Sequence, residues 1–272
     1  MIHTFNHHAM ATLVQVRIDH EEPEYAVQAA RAAFELADRL ESLLSRFREE
    51  SEIRQIAGIA PGETLRLSEP VFACLEIARE METVTRGAFC ISPEAAMPQP
   101  RWSLDPARLA IRCEQGRLAF DPGAIGKGFV LDRMGAELAE WECPAHLLVA
   151  GGSSILAGTA PSGAAGWDVG LGEDHADYRC LLAGGSLSGS GVAVKGRHIL
   201  DPRTGTPATR RDRAWVLAPT AAVSDALSTA CMVLSETEIG EMMTDKTEWL
   251  ALLNEGGAWR HLGGRLWVSP MQ

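Results

Sequence analysis

The sequence predicts a single α+β domain spanning residues 1–272, with mixed and largely antiparallel sheets packed against long amphipathic helices. Three observations carry that expectation. Long stretches repeat their apolar residues at helical spacing, shorter stretches alternate or run apolar between glycine-rich turns, and no repeat, linker or low-complexity tract divides the chain. With 46% apolar residues in 272, there is enough material for one large core.

From Ala9 to Ile18, Met10, Leu13, Val14, Val16 and Ile18 stand among polar residues, which predicts a first strand with one buried face. From Glu24 to Phe47, Ala29, Ala33, Leu36, Ala37, Leu40, Leu43, Leu44 and Phe47 recur at helical spacing. A second helix is expected to start at Ser68, with Pro70 in its first turn, and to stop near Gly87. Between Leu109 and Phe120, two apolar runs flank Glu114, Gln115 and Gly116, as in a hairpin.

Its second strand leads into the turn Gly123 to Gly128, from which Val130, Leu131, Met134, Leu138 and Trp141 continue as a helix. His146 to Ala150 then reads as a strand ending in Gly151 and Gly152, and the glycine- and serine-rich stretch from Gly158 to Gly205 as loops and antiparallel strands. A last clear helix covers Ala222 to Leu234, its apolar stripe being Val223, Ala226, Leu227, Ala230, Cys231 and Leu234. Two strands around Glu255, Gly256 and Gly257 close the chain.

Composition narrows the function. Thirty-six acidic against 25 basic residues give a formal charge of −11, which repels a phosphate backbone, so nucleic acid is not expected as a partner. No apolar run reaches the roughly 20 residues of a membrane span, and the first 20 residues hold no hydrophobic signal core. Cys74, Cys90, Cys113, Cys143, Cys180 and Cys231 form no CxxC pair. Free thiols, a reducing compartment and cytoplasmic residence without a membrane anchor are expected.

Three clusters could carry chemistry. The turn Gly123, Ala124, Ile125, Gly126, Lys127, Gly128 offers small residues, amides at a helix start and one lysine, the parts of an anion cradle, although a plain strand-to-helix turn has the same look. Ser188, Gly189, Ser190 and Gly191, followed by Lys195, Arg197, His198, Asp201 and Arg203, gather hydroxyls, cations, a histidine and a carboxylate. Cations offset phosphate charge, and His198 or Asp201 can move a proton; Asp201 to Gly205 also reads as a capped turn. Asp225 and Thr229, one helical turn apart opposite the apolar stripe, offer two hard oxygens to magnesium, or belong to a solvated helix face.

Taken in order, these segments resemble the ApbE family, the FAD:protein FMN transferases. Met10-Ala11-Thr12 stands where that family has Met-Gly-Thr, and Leu43 to Phe47 followed by Ser51-Glu52-Ile53 matches the segment after its first long helix. Gly87-Ala88-Phe89, Gly123 to Gly128, Gly151-Gly152, His198 to Gly205 and Ser224 to Thr229 follow in the family's order. The resemblance implies a ligand cleft between two halves of the domain. It implies Mg2+ on Asp225, Thr229 and the Gly126 turn carbonyl, with His198 activating the acceptor hydroxyl and Asp201 beside it.

Met10, Thr12, Gly126, Lys127, Gly152, Ser188, Gly189 and Arg197 would border FAD. The implied reaction joins FMN, through its phosphate, to a threonine or serine of a partner flavoprotein and releases AMP. FAD hydrolysis to FMN and AMP, or FAD binding without cleavage, are the alternatives. Hydrolysis follows if water replaces the acceptor hydroxyl, and binding alone is motivated by three departures: Ala11 for glycine, Ala57 where asparagine is common, and Cys90 where aspartate is usual.

Overall fold

A computed structural model describes residues 1–92, 100–171, 178–192, 199–264 and 268–270. Its centre is an eight-stranded sheet in which every neighbouring pair is antiparallel. In spatial order it contains β1 (Ile2–Ala9), β2 (Thr12–Asp19), β6 (His146–Ala150), β7 (Ser154–Ala157), β10 (Ser186–Gly191), β13 (Arg213–Ala218), β14 (Leu250–Glu255) and β15 (Ala258–Gly263). Three further small sheets are present. One joins β3 (Thr64–Arg66), β5 (Ala110–Gln115) and β4 (Arg101–Asp105), another β16 (Val268–Pro270), β9 (Tyr178–Leu182) and β8 (Trp167–Leu171), and the last β11 (Leu200–Asp201) and β12 (Thr206–Pro207).

Side-chain alternation along the central strands divides the interior in two. Leu148 and Ala150 of β6, Ala214 and Val216 of β13, and Ala251 and Leu253 of β14 face the main core. That core is completed by α1 (Pro23–Leu44), α3 (Glu69–Val84), α4 (Gly126–Glu140) and α5 (Ala221–Val233). The intervening Leu147, Trp215, Leu250 and Leu252 pack on the opposite face with Trp167, Val169, Leu171, Cys180 and Leu182 of β8 and β9. None of the six cysteines is in a disulfide, and no helix among the described residues is long and apolar enough to cross a membrane.

Four expectations from the sequence change. The first strand is two: β1 and β2 form a hairpin whose turn is Met10 and Ala11, so the strand expected from Ala9 is interrupted at its start. β1 escaped notice because, as an edge strand of half-exposed residues, it lacks the alternation of apolar side chains that marks β2. α1 ends at Leu44, short of Phe47: Ser45 turns extended, and Phe47 is left 81% exposed.

The hairpin expected around Gly116 lies earlier, between β4 and β5, and residues 117–120 form no strand. Two helices were not anticipated, α2 (Glu52–Ile56), capped by the Ser51 hydroxyl, and α6 (Glu236–Met243), started by a capping box of Ser235 and Glu238.

The β1–β2 turn has φ of 54° at both Met10 and Ala11, as a two-residue type I′ turn requires. A side chain in that left-handed region costs about 1–2 kcal/mol, partly offset by the 0.4–1 kcal/mol that glycine loses in unfolded-state entropy. Ala11→Gly is therefore expected to stabilise the protein by about 0.5–1 kcal/mol, raising the melting temperature by about 1–4 °C. A thermal melt in which Ala11→Gly unfolds earlier than the parent would contradict this account of the turn.

Candidate functional site

The turn before α4 is built by its own sequence. Asp121 accepts the Gly123 amide at 2.9 Å, Pro122 opens a single 3-10 turn through Ala124, and α4 begins at Gly126. Ile125, at the N-cap of α4, has no side-chain oxygen to offer the first amides. The missing acceptor comes from α5: the Asp225 Oδ2 accepts the Gly128 amide at 3.1 Å. Lys127 lies 3.4 Å from both oxygens of the same carboxylate, and the Ser154 hydroxyl of β7 donates to Oδ1 at 3.3 Å.

Asp225 is 2% exposed, so its helix face is not solvated surface. α5 is enclosed between α4 and the sheet, with Ser224, Asp225 and Ser228 buried opposite the apolar stripe, while Val223 is only partly buried. The polar face meets hydroxyls. Ser186, Ser188 and Ser190 alternate along β10 and point at α5. Ser186 donates to Ser224 at 3.0 Å, Ser188 and Ser224 are hydrogen-bonded at 2.8 Å, and Ser190 reaches Ser228 at 2.8 Å and Thr229 at 3.1 Å.

The N-terminus of α5 has the same need as that of α4, since Thr220 at its N-cap makes no side-chain cap. Asp132 of α4 meets it, accepting the Ala221 amide at 2.7 Å on Oδ1 and the Ala222 amide at 2.8 Å on Oδ2. Burial, and to a lesser extent the nearby charge of Asp225, pushes the Asp132 carboxyl up to about 6 against the pull of those two amides. At the other end of α5, the buried Arg211 donates to the carbonyls of Cys231 and Leu234.

Of the residues singled out in the sequence, Lys127, Gly126, Asp225 and Thr229 come together with the β10 serines at this helix pair. Ser188 is buried and spent on Ser224; a Cβ on Gly189 would lie 2.7 Å from the Trp215 ring. Met10 is the first residue of the β1–β2 turn and Thr12 follows it, and the Met10 amide donates to Glu41 at 2.8 Å. The Gly151–Gly152 turn lies against Thr12, whose Oγ1 would be 2.6 Å from a Cβ on Gly151.

Asp201 is taken up by Arg203, accepting its amide at 2.9 Å, Nε at 3.0 Å and one terminal nitrogen at 2.9 Å; Arg203 continues to Glu238 at 2.7 Å. Arg197 and His198 lie outside the described residues. Ser154 and Asp132 were not singled out from the sequence, whereas Ser190 belongs to the serine and glycine cluster read there. For Asp132 a signal existed, a lone carboxylate inside the apolar run of Phe129 to Leu131 and Met134. Arg46 and Phe47 also belong nearby: Arg46 pairs with Asp121 at 3.0 Å beside the exposed Phe47 ring.

The arrangement suits a hard cation. One carboxylate with several hydroxyls supplies oxygen ligands only, fewer than a closed site needs, which fits an ion that keeps waters and substrate phosphates as its other ligands. Among the described residues no group of three or more His, Cys, Asp or Glu could hold a metal, so a closed zinc-type site has no counterpart there. Lys127 and the amides at the start of α4 supply the positive side of the same cradle.

Comparison with known proteins follows the same outline. A family model described as "ApbE family" matches residues 10–253. The FAD:protein FMN transferase of Klebsiella pneumoniae (strain 342) is 26% identical over 216 residues, covering 65% of this chain and 66% of that protein, just under two thirds of its length. The FAD:protein FMN transferase of Treponema pallidum (strain Nichols) is 25% identical over 279 residues, covering 83% of this chain and 76% of that protein. The crystal structure of the ApbE protein from Thermotoga maritima superposes with a TM-score of 0.82 at 22% identity, covering 96% of this chain and 97% of that one.

Gly128 is where the two helices touch through their backbones, since a Cβ there would lie 2.0 Å from the Ala221 carbonyl oxygen. Gly128→Ala is expected to cost at least about 2 kcal/mol, because only backbone movement relieves the overlap. Gly152→Ala should cost only about 0.5–1 kcal/mol, the net of its φ of +67° and the entropy lost by replacing glycine, since nothing lies within 4 Å of the added methyl. Urea melts of the two variants check the order, and equal losses would remove the close approach as the reason for glycine at 128.

Proposed function

The chain belongs to the ApbE family, and we propose that it transfers the FMN moiety of FAD to a threonine or serine hydroxyl of a partner flavoprotein, with Mg2+, releasing AMP. The observation that carries this reading is the buried Asp225 carboxylate set against Lys127 and the N-terminus of α4. In a chain of net charge −11, a cradle of amides and one lysine around an oxygen-only ligand set is what a pyrophosphate with a divalent cation asks for. The names of the two curated relatives agree with it.

In this reading Asp225, Thr229 and the Gly126 carbonyl would hold the magnesium ion. When bound, the ion supplies positive charge that offsets the pyrophosphate oxygens. Lys127 offsets charge as it develops on the same phosphates, a role the family resemblance also gives to Arg197. Met10, Thr12 and Gly152 border the flavin nucleotide, and the exposed Phe47 ring beside Arg46 offers it a stacking surface. His198 takes the proton from the acceptor hydroxyl, whose oxygen bonds to the FMN phosphorus while the bridging P–O bond breaks and AMP leaves. Asp201 orders the turn that follows His198 through its three bonds to Arg203.

Incubation of the protein with FAD and Mg2+, with and without a candidate acceptor, followed by nucleotide chromatography and mass spectrometry of the acceptor, tests the proposal. AMP together with a flavin-modified acceptor is expected. AMP with free FMN would make the protein a hydrolase, and FAD that stays intact while bound would make it a carrier.

Because Asp225 caps α4 and faces Lys127, the isosteric Asp225→Asn is a better probe than removal of the whole side chain, which would leave the Gly128 amide unpaired in the interior. Asp225→Asn is expected to fold and to lose AMP release by about 100-fold or more, and Thr229→Val by about tenfold, as fits a charged and a neutral ligand. His198→Ala should retain FAD binding and lose turnover. Undiminished AMP release by folded Asp225→Asn would remove the metal from this helix.

A further inference from the structure

The α4–α5 junction contains a carboxylate that the proposed reaction does not use. Asp132 projects from α4 and accepts two consecutive amides of α5, while Asp225 projects from α5 and accepts an amide at the start of α4. Each helix thus ends on the other's side chain, and neither has a cap of its own, Ile125 and Thr220 making no side-chain cap bond. A helix capped by its own residue can slide or tilt on its neighbour and stay capped. One capped by its neighbour cannot, because displacement breaks both amide bonds at once.

We infer that Asp132 is a positioning residue: by holding Ala221 and Ala222 it fixes the register of α5 on α4, and so keeps the Asp225 carboxylate against Gly128 and Lys127. The geometry supports this in three ways. Ala221 and Ala222 lie one turn before Asp225 on the same helix, so an error at the cap is carried rigidly to the site. Gly128 and Ala221 are in backbone contact, which lets the two side chains span the gap in both directions. Both carboxylate oxygens of Asp132 are engaged, one on each of two consecutive amides at 2.7 and 2.8 Å, so the link resists sliding and rotation alike.

The alternative role is simple stabilisation of α5, and the experiment separates the two. Asp132→Asn removes the charge and sets an amide N–H2 against one of the two donors. Asp132→Asn/Thr220→Asp returns a carboxylate to the N-cap of α5 from its own chain, restoring the cap without the link to α4. The reporter is hydrogen exchange of the Gly128 amide, followed by NMR at a temperature well below the melting point of each protein. A second reading is Mn2+ binding by calorimetry without FAD.

Positioning predicts that the double variant regains the parent melting temperature while the Gly128 amide still exchanges about tenfold faster or more. It also predicts that the Mn2+ dissociation constant stays raised by about tenfold or more. Parent-like exchange at Gly128 in the double variant would overturn the inference, leaving Asp132 a cap and nothing else. The Mn2+ reading rests on the proposed function and the exchange reading does not, so a parent protein that binds no Mn2+ counts against the metal alone and leaves Gly128 to decide.

Discussion

The structure depends on an exchange of carboxylates between two helices. Asp225 of α5 satisfies the start of α4, Asp132 of α4 satisfies the start of α5, and Gly128 lets the backbones come close enough for both. Each cap is worth about 0.5–2 kcal/mol as a stabilising contact, a modest share of a domain's stability. Its larger effect is geometric. Two helices in one packed core can adopt many small offsets at similar cost, and the paired caps select the offset that leaves a carboxylate, a lysine and a helix N-terminus on one spot.

The sheet beneath the pair has to accept a polar helix face without leaving hydroxyls unpaired. β10 does so by placing serine at every second residue, 186, 188 and 190, so that one face of the strand offers hydroxyls where α5 offers Ser224, Ser228 and Thr229. Period two on the strand meets a four-residue repeat on the helix, and small side chains on both keep the separation short. Ser224 and Ser228 also return hydrogen bonds to the Ala221 and Asp225 carbonyls of their own helix, so burial leaves them satisfied. The lining of the site is thus continuous with the packing of the domain, and Ser154 on β7 extends it to the Asp225 carboxylate.

Much of this was legible in the sequence. α1, α3, α4, α5, β6 and the closing β14–β15 hairpin announce themselves through periodicity and turn residues, because their burial is one-sided or complete over many positions. β1 did not, since an edge strand buries little; nor did α2 and α6, which are too short to show a period and are marked only by their serine caps. Within the site, Lys127 and Asp225 could be named but not joined, because they are 98 residues apart. The polar face of α5 was open to two readings, ligand or solvated surface, because a helical wheel cannot tell water from a facing strand of serines. Asp132 was passed over for a related reason: its partners are backbone amides, which leave no trace in residue identity.

The three departures from the family pattern differ in what they disturb. Ala57 follows α2 with φ −66° and ψ −14°, a conformation any residue adopts, so the change from asparagine removes a side chain and asks nothing of the backbone. Ala11 keeps the left-handed turn at a cost in strain, and the hairpin register runs unbroken from Ile2 to Thr12. Cys90 replaces an acid with a thiol that burial and the neighbouring Glu82 push up to about 12, so it stays protonated and hydrogen-bonds to Glu82. Glu82 in turn accepts the Ile91 amide at 3.0 Å, and burial raises its own carboxyl. A carboxyl group is therefore still bound to this segment, supplied from α3 instead of from position 90. None of the three is among the residues that cap or pair α4 and α5, which are Lys127, Asp132, Ser154 and Asp225. A chain can diverge at such positions while keeping the junction, because the junction is specified by its own few residues: Gly128, Asp132, Ser154, Asp225 and the serines of β10.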